Sequence, residues 1–130
     1  MIVVDTNILV YLYLPTQYTP HAEKLLENDP MWVAPHLWRS EFRNVLALYL
    51  RKELITYDKA LEIQNEAEIL MSGNEYDIKS LSVLSLVNQS NCSAYDCEYV
   101  SLAMNLGIEL FTMDKKIISE FPLIAKPLCG

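Results

Sequence analysis

The first ten residues constrain the fold more than any other stretch of the chain. Residues 1–4 are apolar and include β-branched side chains, which is typical of a strand buried on both faces in a parallel sheet. This strand leads straight into a carboxylate, Asp5. Two roles are open for Asp5: it caps a helix that begins near Thr6, or it holds a metal or a phosphate-bearing substrate where the strands of the sheet end. The positions of the other acids decide how these roles are weighed.

Apolar periodicity predicts strands and helices in alternation along the whole chain. The predicted helices cover residues 6–13, 21–28, 36–52, 57–71, 80–91 and 93–106, with a helical turn at 114–119. Further strands are predicted at residues 31–34, 76–79, 108–113 and 123–128. This alternation predicts an α/β fold with a central, mostly parallel sheet of four or five strands and helices on both faces. At 130 residues, the chain is most simply one domain, residues 1–130.

Composition and charge narrow the class of protein. Hydrophobic residues make up 52% of the chain, which is enough for a buried core, yet no stretch has the uninterrupted apolar length of a membrane span. The chain starts without the features of a signal peptide, and its three cysteines match no zinc spacing, so we expect a cytoplasmic protein with reduced cysteines. The net charge of −7 argues against a nucleic-acid partner, because phosphate binding rests on lysine and arginine; the argument weakens if bound cations neutralise the acids.

Glu41 is an acid placed within an apolar pattern. The inward row of the predicted helix 36–52 runs through Leu37, Glu41, Val45 and Leu48. Desolvating an unpaired carboxylate is costly. Glu41 therefore either pairs with Arg39 or Arg43 near the surface or contributes to a functional site.

Asp96 lies on the apolar face of the predicted helix 93–106, beside Tyr99 and Val100. Ser93 and Asp96 also fit the S-x-x-D variant of a capping box, so a cap and a ligand role are equally open when this segment is judged alone. The two roles are compatible, because a carboxylate in the first turn of a helix can face the end of a neighbouring strand.

Asp114 closes the predicted strand 108–113 in the way that Asp5 closes the first strand, and it too is a candidate helix cap. Thr112 lies two residues earlier, on the same side of the strand. Four acids gathered in one region would repel each other and raise their own pKa values unless a cation neutralised them. Ligands that are all oxygen select Mg²⁺ or Mn²⁺ over zinc.

Four segments, in order, resemble the PIN domain family, and within it the small single-domain ribonucleases that act as VapC-type toxins. The segments are VDTNIL at 4–9, Glu41 within 35–47, YDCEYVSLA at 95–103 and LFTMDK at 110–115. Each segment is weakly specific, whereas the ordered set covers essentially the whole chain. The resemblance implies an α/β/α sandwich with the acids at the C-terminal edge of the sheet, where family members bind Mg²⁺ or Mn²⁺ and hydrolyse RNA phosphodiester bonds. Cys97 stands where a small residue such as alanine is usual.

The resemblance also implies roles for individual residues. The catalytic and metal-binding site carries over to Asp5, Glu41, Asp96 and Asp114. Asn7 and Thr112 carry over as polar residues that line this site. The basic residues near these acids in the sequence are candidate phosphate contacts or, equally, surface residues and salt-bridge partners: Arg39, Arg43 and Lys115.

The partners expected from the resemblance are an RNA substrate, a cognate antitoxin protein and a second copy of the chain in a homodimer, with no membrane partner. Candidate exposed aromatics for the protein contacts are Trp38, Tyr49, Tyr11 and Tyr13, which core packing explains equally well. Two alternatives stay open: a non-catalytic RNA- or protein-binding module whose acids are structural, and a PIN nuclease of RNA processing outside any toxin–antitoxin system. Neither a phosphatase DxD pair nor a phosphate-binding P-loop is present.

Overall fold

Five short strands form one sheet in which every neighbouring pair is parallel. In the computed structural model, which describes residues 1–129, the strands are β1 (Ile2–Val4), β2 (Trp32–Pro35), β3 (Glu75–Tyr76), β4 (Leu110–Phe111) and β5 (Ala125–Lys126). Their order across the sheet is β3-β2-β1-β4-β5. The chain therefore starts in the centre of the sheet, builds one half, and returns to the other side of β1 to build the second half. Strand order reverses between β1 and β4.

Seven helices within the described residues flank the sheet. They are α1 (Thr6–Tyr13), α2 (Thr19–Asn28), α3 (Leu37–Arg51), α4 (Tyr57–Met71), α5 (Ser80–Gln89), α6 (Ala94–Leu106) and α7 (Lys115–Glu120). Helices α1, α3 and α4 pack on one another and on β1 or β2, whereas α5 pairs with α6, which lies against β1, β2 and β4. The predicted α/β architecture with a parallel sheet of about five strands is confirmed. None of the helices in residues 1–129 has both the length and the apolar character needed to cross a bilayer.

The predicted strands are longer than the observed ones near the C-terminal edge of the sheet. Strand β4 ends at Phe111, whereas residues up to 113 are predicted to be extended. Beyond it, Asp114 caps helix α7 by accepting hydrogen bonds from the backbone N–H groups of Lys116 and Ile117. Strand β3 likewise ends at Tyr76, where the prediction continues to residue 79. The edge of the sheet is therefore built from strand ends and helix caps.

Helix α3 buries a different row from the predicted one. The buried row is Trp38, Phe42 and Leu46. The predicted row, which passes through Glu41, lies one position earlier and is only partly buried, and Leu48 is exposed. Glu41 thus sits at the border of the buried face, where a carboxylate reaches both buried hydroxyl groups and open space.

The aromatic residues proposed for protein contacts are not freely exposed. Trp38 is fully buried and donates its indole N–H to Glu75 at 2.7 Å, so of the two alternatives left open at this position, core packing is the one observed. The other three are partly buried against the core: Tyr11, Tyr13 and Tyr49.

Helix α5 is more exposed than the sequence predicts. The nearly uncharged stretch 80–91 predicts a helix covered over most of its surface, with either Leu81, Leu84 and Val87 or Val83 and Leu86 as its core row. In the structure Val83 and Leu86 are buried, while Leu81 is 84% exposed and Leu84 is also exposed. The helix packs chiefly on α6, so only one of its faces is covered. The expectation that most of its surface is covered is therefore wrong.

Candidate active site

The four predicted acids line a single pocket of about 430 Å³ at the C-terminal edge of the sheet. Asp5 follows β1 and Asp114 follows β4, which are adjacent parallel strands on the two sides of the point where strand order reverses. Helix α3 supplies Glu41, and the first turn of α6 supplies Asp96. The rest of the lining is polar or mixed, and consists of Thr6, Asn7, Val10, Tyr11, Asn44 and Val45.

Asp5 caps a helix and also lines the acidic pocket. One carboxylate oxygen, Oδ1, accepts a hydrogen bond from the backbone N–H of Thr6 at 2.8 Å and so caps helix α1. The other, Oδ2, accepts from the Thr112 hydroxyl at 2.7 Å. Only 8% of the residue is exposed, and this burial raises its pKa to about 7 against the opposing effect of the two hydrogen bonds, with the charges of Glu41 and Asp96 adding to the rise. Keeping Asp5 ionised in the folded protein therefore costs free energy.

Thr112 and Asn7 link the ends of the two central strands. The fully buried Thr112 hydroxyl donates to Asp5 and accepts hydrogen bonds from the backbone N–H of Asp114 at 3.0 Å and the Asn7 amide at 3.4 Å. The Asn7 side-chain oxygen accepts from the backbone N–H of Met113 at 3.3 Å. These contacts fix the Asp5 carboxylate and the start of α7 relative to each other.

Glu41 is held by two hydroxyl groups that the sequence analysis did not single out. Its Oε1 accepts hydrogen bonds from Tyr99 at 2.6 Å and from Thr6 at 2.9 Å, and the two hydroxyl oxygens lie 2.7 Å apart. Burial, followed by the charges of Asp5 and Glu41, raises the pKa of Tyr99 well above its ordinary value, so its hydroxyl remains a donor at neutral pH. The available signal was that a tyrosine on an apolar helix face needs a partner for its hydroxyl group.

Asp96 combines a capping box with a place in the pocket. Its backbone N–H donates to Ser93 Oγ at 3.1 Å, as the S-x-x-D pattern predicts. Burial raises the pKa of its carboxyl group, and the nearby charge of Asp114 raises it further, while the Ser93 hydrogen bond and Lys116 act in the opposite direction. Asp96 and Asp114 are thus close enough to repel each other.

No lysine or arginine in residues 1–129 forms a salt bridge with any of the four acids. Arg39 instead pairs with Glu68 and Glu75 at 2.9 and 2.6 Å, and Arg43 donates to Ser40 at 3.1 Å. The suggested pairing of Glu41 with either arginine is therefore not formed. Arg43 and Lys115 are both exposed.

The donor chemistry of this pocket fits a hard divalent cation. Its potential ligands are carboxylate oxygens, which bind Mg²⁺ and Mn²⁺ in preference to zinc, and within residues 1–129 none of them forms a salt bridge with a lysine or arginine. Among the described residues, no three His, Cys, Asp or Glu side chains already converge on one metal position. The four acids line the walls of the pocket, and at least some of their side chains would have to move closer together to bind one ion.

Comparisons with known proteins agree on one family. The sequence profile of the PIN domain matches residues 2–122. Ribonuclease VapC3 of Pyrobaculum aerophilum is 27% identical in an alignment that covers 97% of this chain and 98% of the relative. A crystal structure of a Pyrobaculum aerophilum protein is similar with a TM-score of 0.73 at 20% identity, covering 98% of this chain and 90% of the other. A toxin–antitoxin complex from Klebsiella pneumoniae contains a chain with the same TM-score at 17% identity, covering 98% of both chains.

Proposed function

Because the chain belongs to the PIN domain family, we propose that it is a divalent-metal-dependent endoribonuclease that acts as the toxin of a toxin–antitoxin pair. The observation that carries the proposal is the pocket lined by Asp5, Glu41, Asp96 and Asp114, in which no lysine or arginine of the described chain, residues 1–129, forms a salt bridge with an acid. An arrangement that keeps several carboxylates close together and partly desolvated is unfavourable unless a cation binds there. The ribonuclease name of the VapC3 relative supports RNA as the substrate.

Asp5 and Glu41 are the residues best placed to hold the ion, with Asp96 and Asp114 completing the oxygen ligands. When bound, Mg²⁺ or Mn²⁺ supplies Lewis acidity toward a phosphate oxygen and lowers the pKa of water in the site. Thr112 donates to Oδ2 of Asp5 and so restricts the orientation of its carboxylate. Loss of a supporting contact of this kind typically lowers metal affinity or activity about 10–100-fold.

Two hydroxyl groups position Glu41 from behind. Tyr99 and Thr6 both contact its Oε1, which leaves Oε2 without a hydrogen bond from either.

Arg43 and Lys115 are better candidates for phosphate contact than Arg39, because both are exposed. The Nε, Nη1 and Nη2 groups of Arg39 all donate to Glu75 or Glu68.

The toxin assignment is supported by the similarity to a chain in the Klebsiella pneumoniae toxin–antitoxin complex. We accordingly propose an antitoxin partner, a homodimer and a cytoplasmic location. Co-purification of the tagged chain with the product of the adjacent reading frame, and growth arrest that this product relieves, would test the pairing. A chain that cleaves RNA but neither binds the neighbouring product nor arrests growth would instead be a nuclease of RNA processing.

The ribonuclease activity is tested by incubating single-stranded RNA oligonucleotides with the purified protein in Mg²⁺, Mn²⁺ or EDTA. We expect cleavage with either metal, no cleavage in EDTA, and loss of cleavage on Asp5→Asn. Asp58→Asn, which replaces an exposed acid on α4 away from the pocket, is the matched control and should cleave normally. Equal cleavage in EDTA, or full activity of Asp5→Asn, would overturn the proposal. Heat release on Mn²⁺ titration without cleavage would indicate a binding module.

A further inference from the structure

A second pocket of about 280 Å³ adjoins the acidic pocket. It is lined by Leu37, Ser40, Glu41, Asn44 and Tyr95. Glu41 and Asn44 line both pockets, so the two pockets are neighbours that share a wall. The volume is slightly below the ~300 Å³ at which pockets for drug-sized ligands begin, which suits a single flat ring system.

Tyr95 forms the aromatic wall of this second pocket. Its residue surface is 62% exposed, and it directly precedes Asp96 in the first turn of α6. An exposed tyrosine contributes nothing to the core and presents a large aromatic face to whatever lies in the pocket. The opposite wall comes from one face of α3, where Leu37 is half-buried and the uncharged Ser40 and Asn44 are exposed at helical spacing.

The charge of the protein explains why an aromatic wall matters beside this site. With a net charge of −7, the chain offers RNA few phosphate contacts, so affinity has to come from other sources. Single-stranded RNA is bound largely by stacking of its splayed bases on aromatic rings and by hydrogen bonds to the base edges. Stacking is available to every base and requires no positive charge.

We propose that the second pocket, here called the Tyr95 pocket, binds one nucleobase of a single-stranded RNA whose adjacent phosphate lies in the acidic pocket. The base stacks on the Tyr95 ring, and the Asn44 amide and Ser40 hydroxyl bond its edge. This inference rests on the proposed ribonuclease function. It assigns to Tyr95 the binding of the base and to Asn44 and Ser40 the choice of nucleotide beside the cleaved bond.

Binding of fluorescent RNA oligonucleotides to the cleavage-deficient Asp5→Asn chain tests the pocket separately from catalysis. Tyr95→Ala should weaken binding about 10-fold, equivalent to about 1.4 kcal/mol, whereas Tyr95→Phe should retain it. Tyr95→Leu keeps an apolar side chain without an aromatic face and should behave like Tyr95→Ala. Tyr57→Ala removes a similarly exposed tyrosine, 67% exposed on α4, and should have no effect.

An abasic nucleotide placed in turn at each position identifies the stacked base. At one position it should weaken binding as much as Tyr95→Ala does, and the two changes combined should weaken binding no further. The inference is wrong if Tyr95→Ala binds normally, if Tyr95→Leu binds as well as the parent chain, or if the two losses add at every position. A change in oligomeric state without a change in RNA affinity would show that Tyr95 contacts protein, and would also overturn it.

The two proposals fail in different ways. Metal-dependent cleavage that is indifferent to Tyr95→Ala would leave the ribonuclease intact and remove the Tyr95 pocket. RNA binding that depends on Tyr95, in a wild-type chain that cleaves no RNA, would do the reverse. Absence of RNA binding in every form would overturn the pocket.

Discussion

Helix α3 contributes to two acidic clusters that differ in their charged partners. On one side, Glu41 joins the acidic pocket with Asp5; on the other, Arg39 joins Glu68 and Glu75. Asp5 is buried more deeply than Glu75, which is half-buried. The pKa of Asp5 is raised to about 7, whereas that of Glu75 is lowered. Burial raises the pKa of both groups, so burial alone does not explain the opposite directions of the two shifts.

The difference lies in the partners. Burial raises the pKa of Glu75 as well, but hydrogen bonds from Arg39 and Trp38, together with the charges of Arg39 and His36, outweigh it. Asp5 receives only neutral hydrogen bonds and has acids for neighbours. Arg39 lies on the same helix as Glu41 but pairs with the acids of the other cluster. We infer that the acidic pocket is kept unpaired for function and that the Arg39 cluster is kept paired for stability.

The largest expected effect is on activity, in the acidic pocket. Asp5→Asn should reduce metal-dependent RNA cleavage by roughly 10²–10³-fold or more, the loss typical of removing one group that stabilises developing charge. Because asparagine is neutral and similar in shape, the free energy of unfolding should stay the same or increase. Cleavage rates and urea unfolding of the same preparation measure both quantities. A large loss of stability would mean that Asp5 belongs with the structural acids.

A smaller effect is expected at Tyr99, which donates a hydrogen bond to Glu41. Tyr99→Phe removes one of its two hydroxyl donors and should lower Mn²⁺ affinity and kcat/KM about 10-fold, within the 10–100-fold range typical of residues that orient metal ligands. Titration calorimetry with Mn²⁺ distinguishes this from a loss of packing, which would leave affinity per folded molecule unchanged. Tyr13→Phe, outside the pocket, is the control. Unchanged affinity would show that Thr6 alone suffices.

At the Arg39 cluster, substitution should lower stability and leave activity unchanged. Arg39→Ala leaves Glu75 buried without its main partner and should lower the free energy of unfolding by about 1–2 kcal/mol, toward the lower end for a buried acceptor because Arg39 is 37% exposed. Cleavage by the folded protein should be unchanged. The urea midpoint and KM for RNA measure the two effects. A raised KM with an unchanged midpoint would make Arg39 a phosphate contact.

The smallest effect is on the pH dependence of stability. The pKa of Glu75 in the folded state lies below its ordinary value of 4.5, so its stabilising contribution is complete above that pH and is lost as the pH falls through the folded pKa. Urea midpoints of wild type should therefore fall more steeply below about pH 4.5 than those of Arg39→Ala. Parallel curves for the two proteins would show that the pair contributes nothing through Glu75 ionisation.

Sequence patterns predict the fold and the positions of the four acids well, for local reasons. Asp5 and Asp114 each follow an apolar strand, and a parallel sheet brings such ends to one edge. Glu41 was selected for a reason that the structure corrects, since the buried row of α3 runs through Trp38 and Phe42 instead. Its border position nevertheless places it in the pocket.

The rest depends on contacts between distant parts of the chain. The sequence leaves open whether Trp38 is exposed or packed in the core; the partner that satisfies its indole N–H is Glu75, 37 residues later. The hydroxyl group of Tyr99 contacts Thr6, which lies 93 residues earlier in the sequence. No local sequence pattern predicts this contact. Helix periodicity alone also left open which row of α5 is buried, because its outer face is apolar as well.

The central place of β1 has a consequence for the growing chain. Its neighbour β4 begins at Leu110, so the ribosome has to pass this residue before the sheet is able to close on both sides of β1. Pairing segments so far apart is entropically slow. Until then Asp5 has neither the Thr112 hydroxyl nor the Asp114 carboxylate beside it. A nascent or prematurely terminated chain that stops before Asp114 thus lacks the assembled acidic pocket, and any activity of that pocket begins only after this residue has been added.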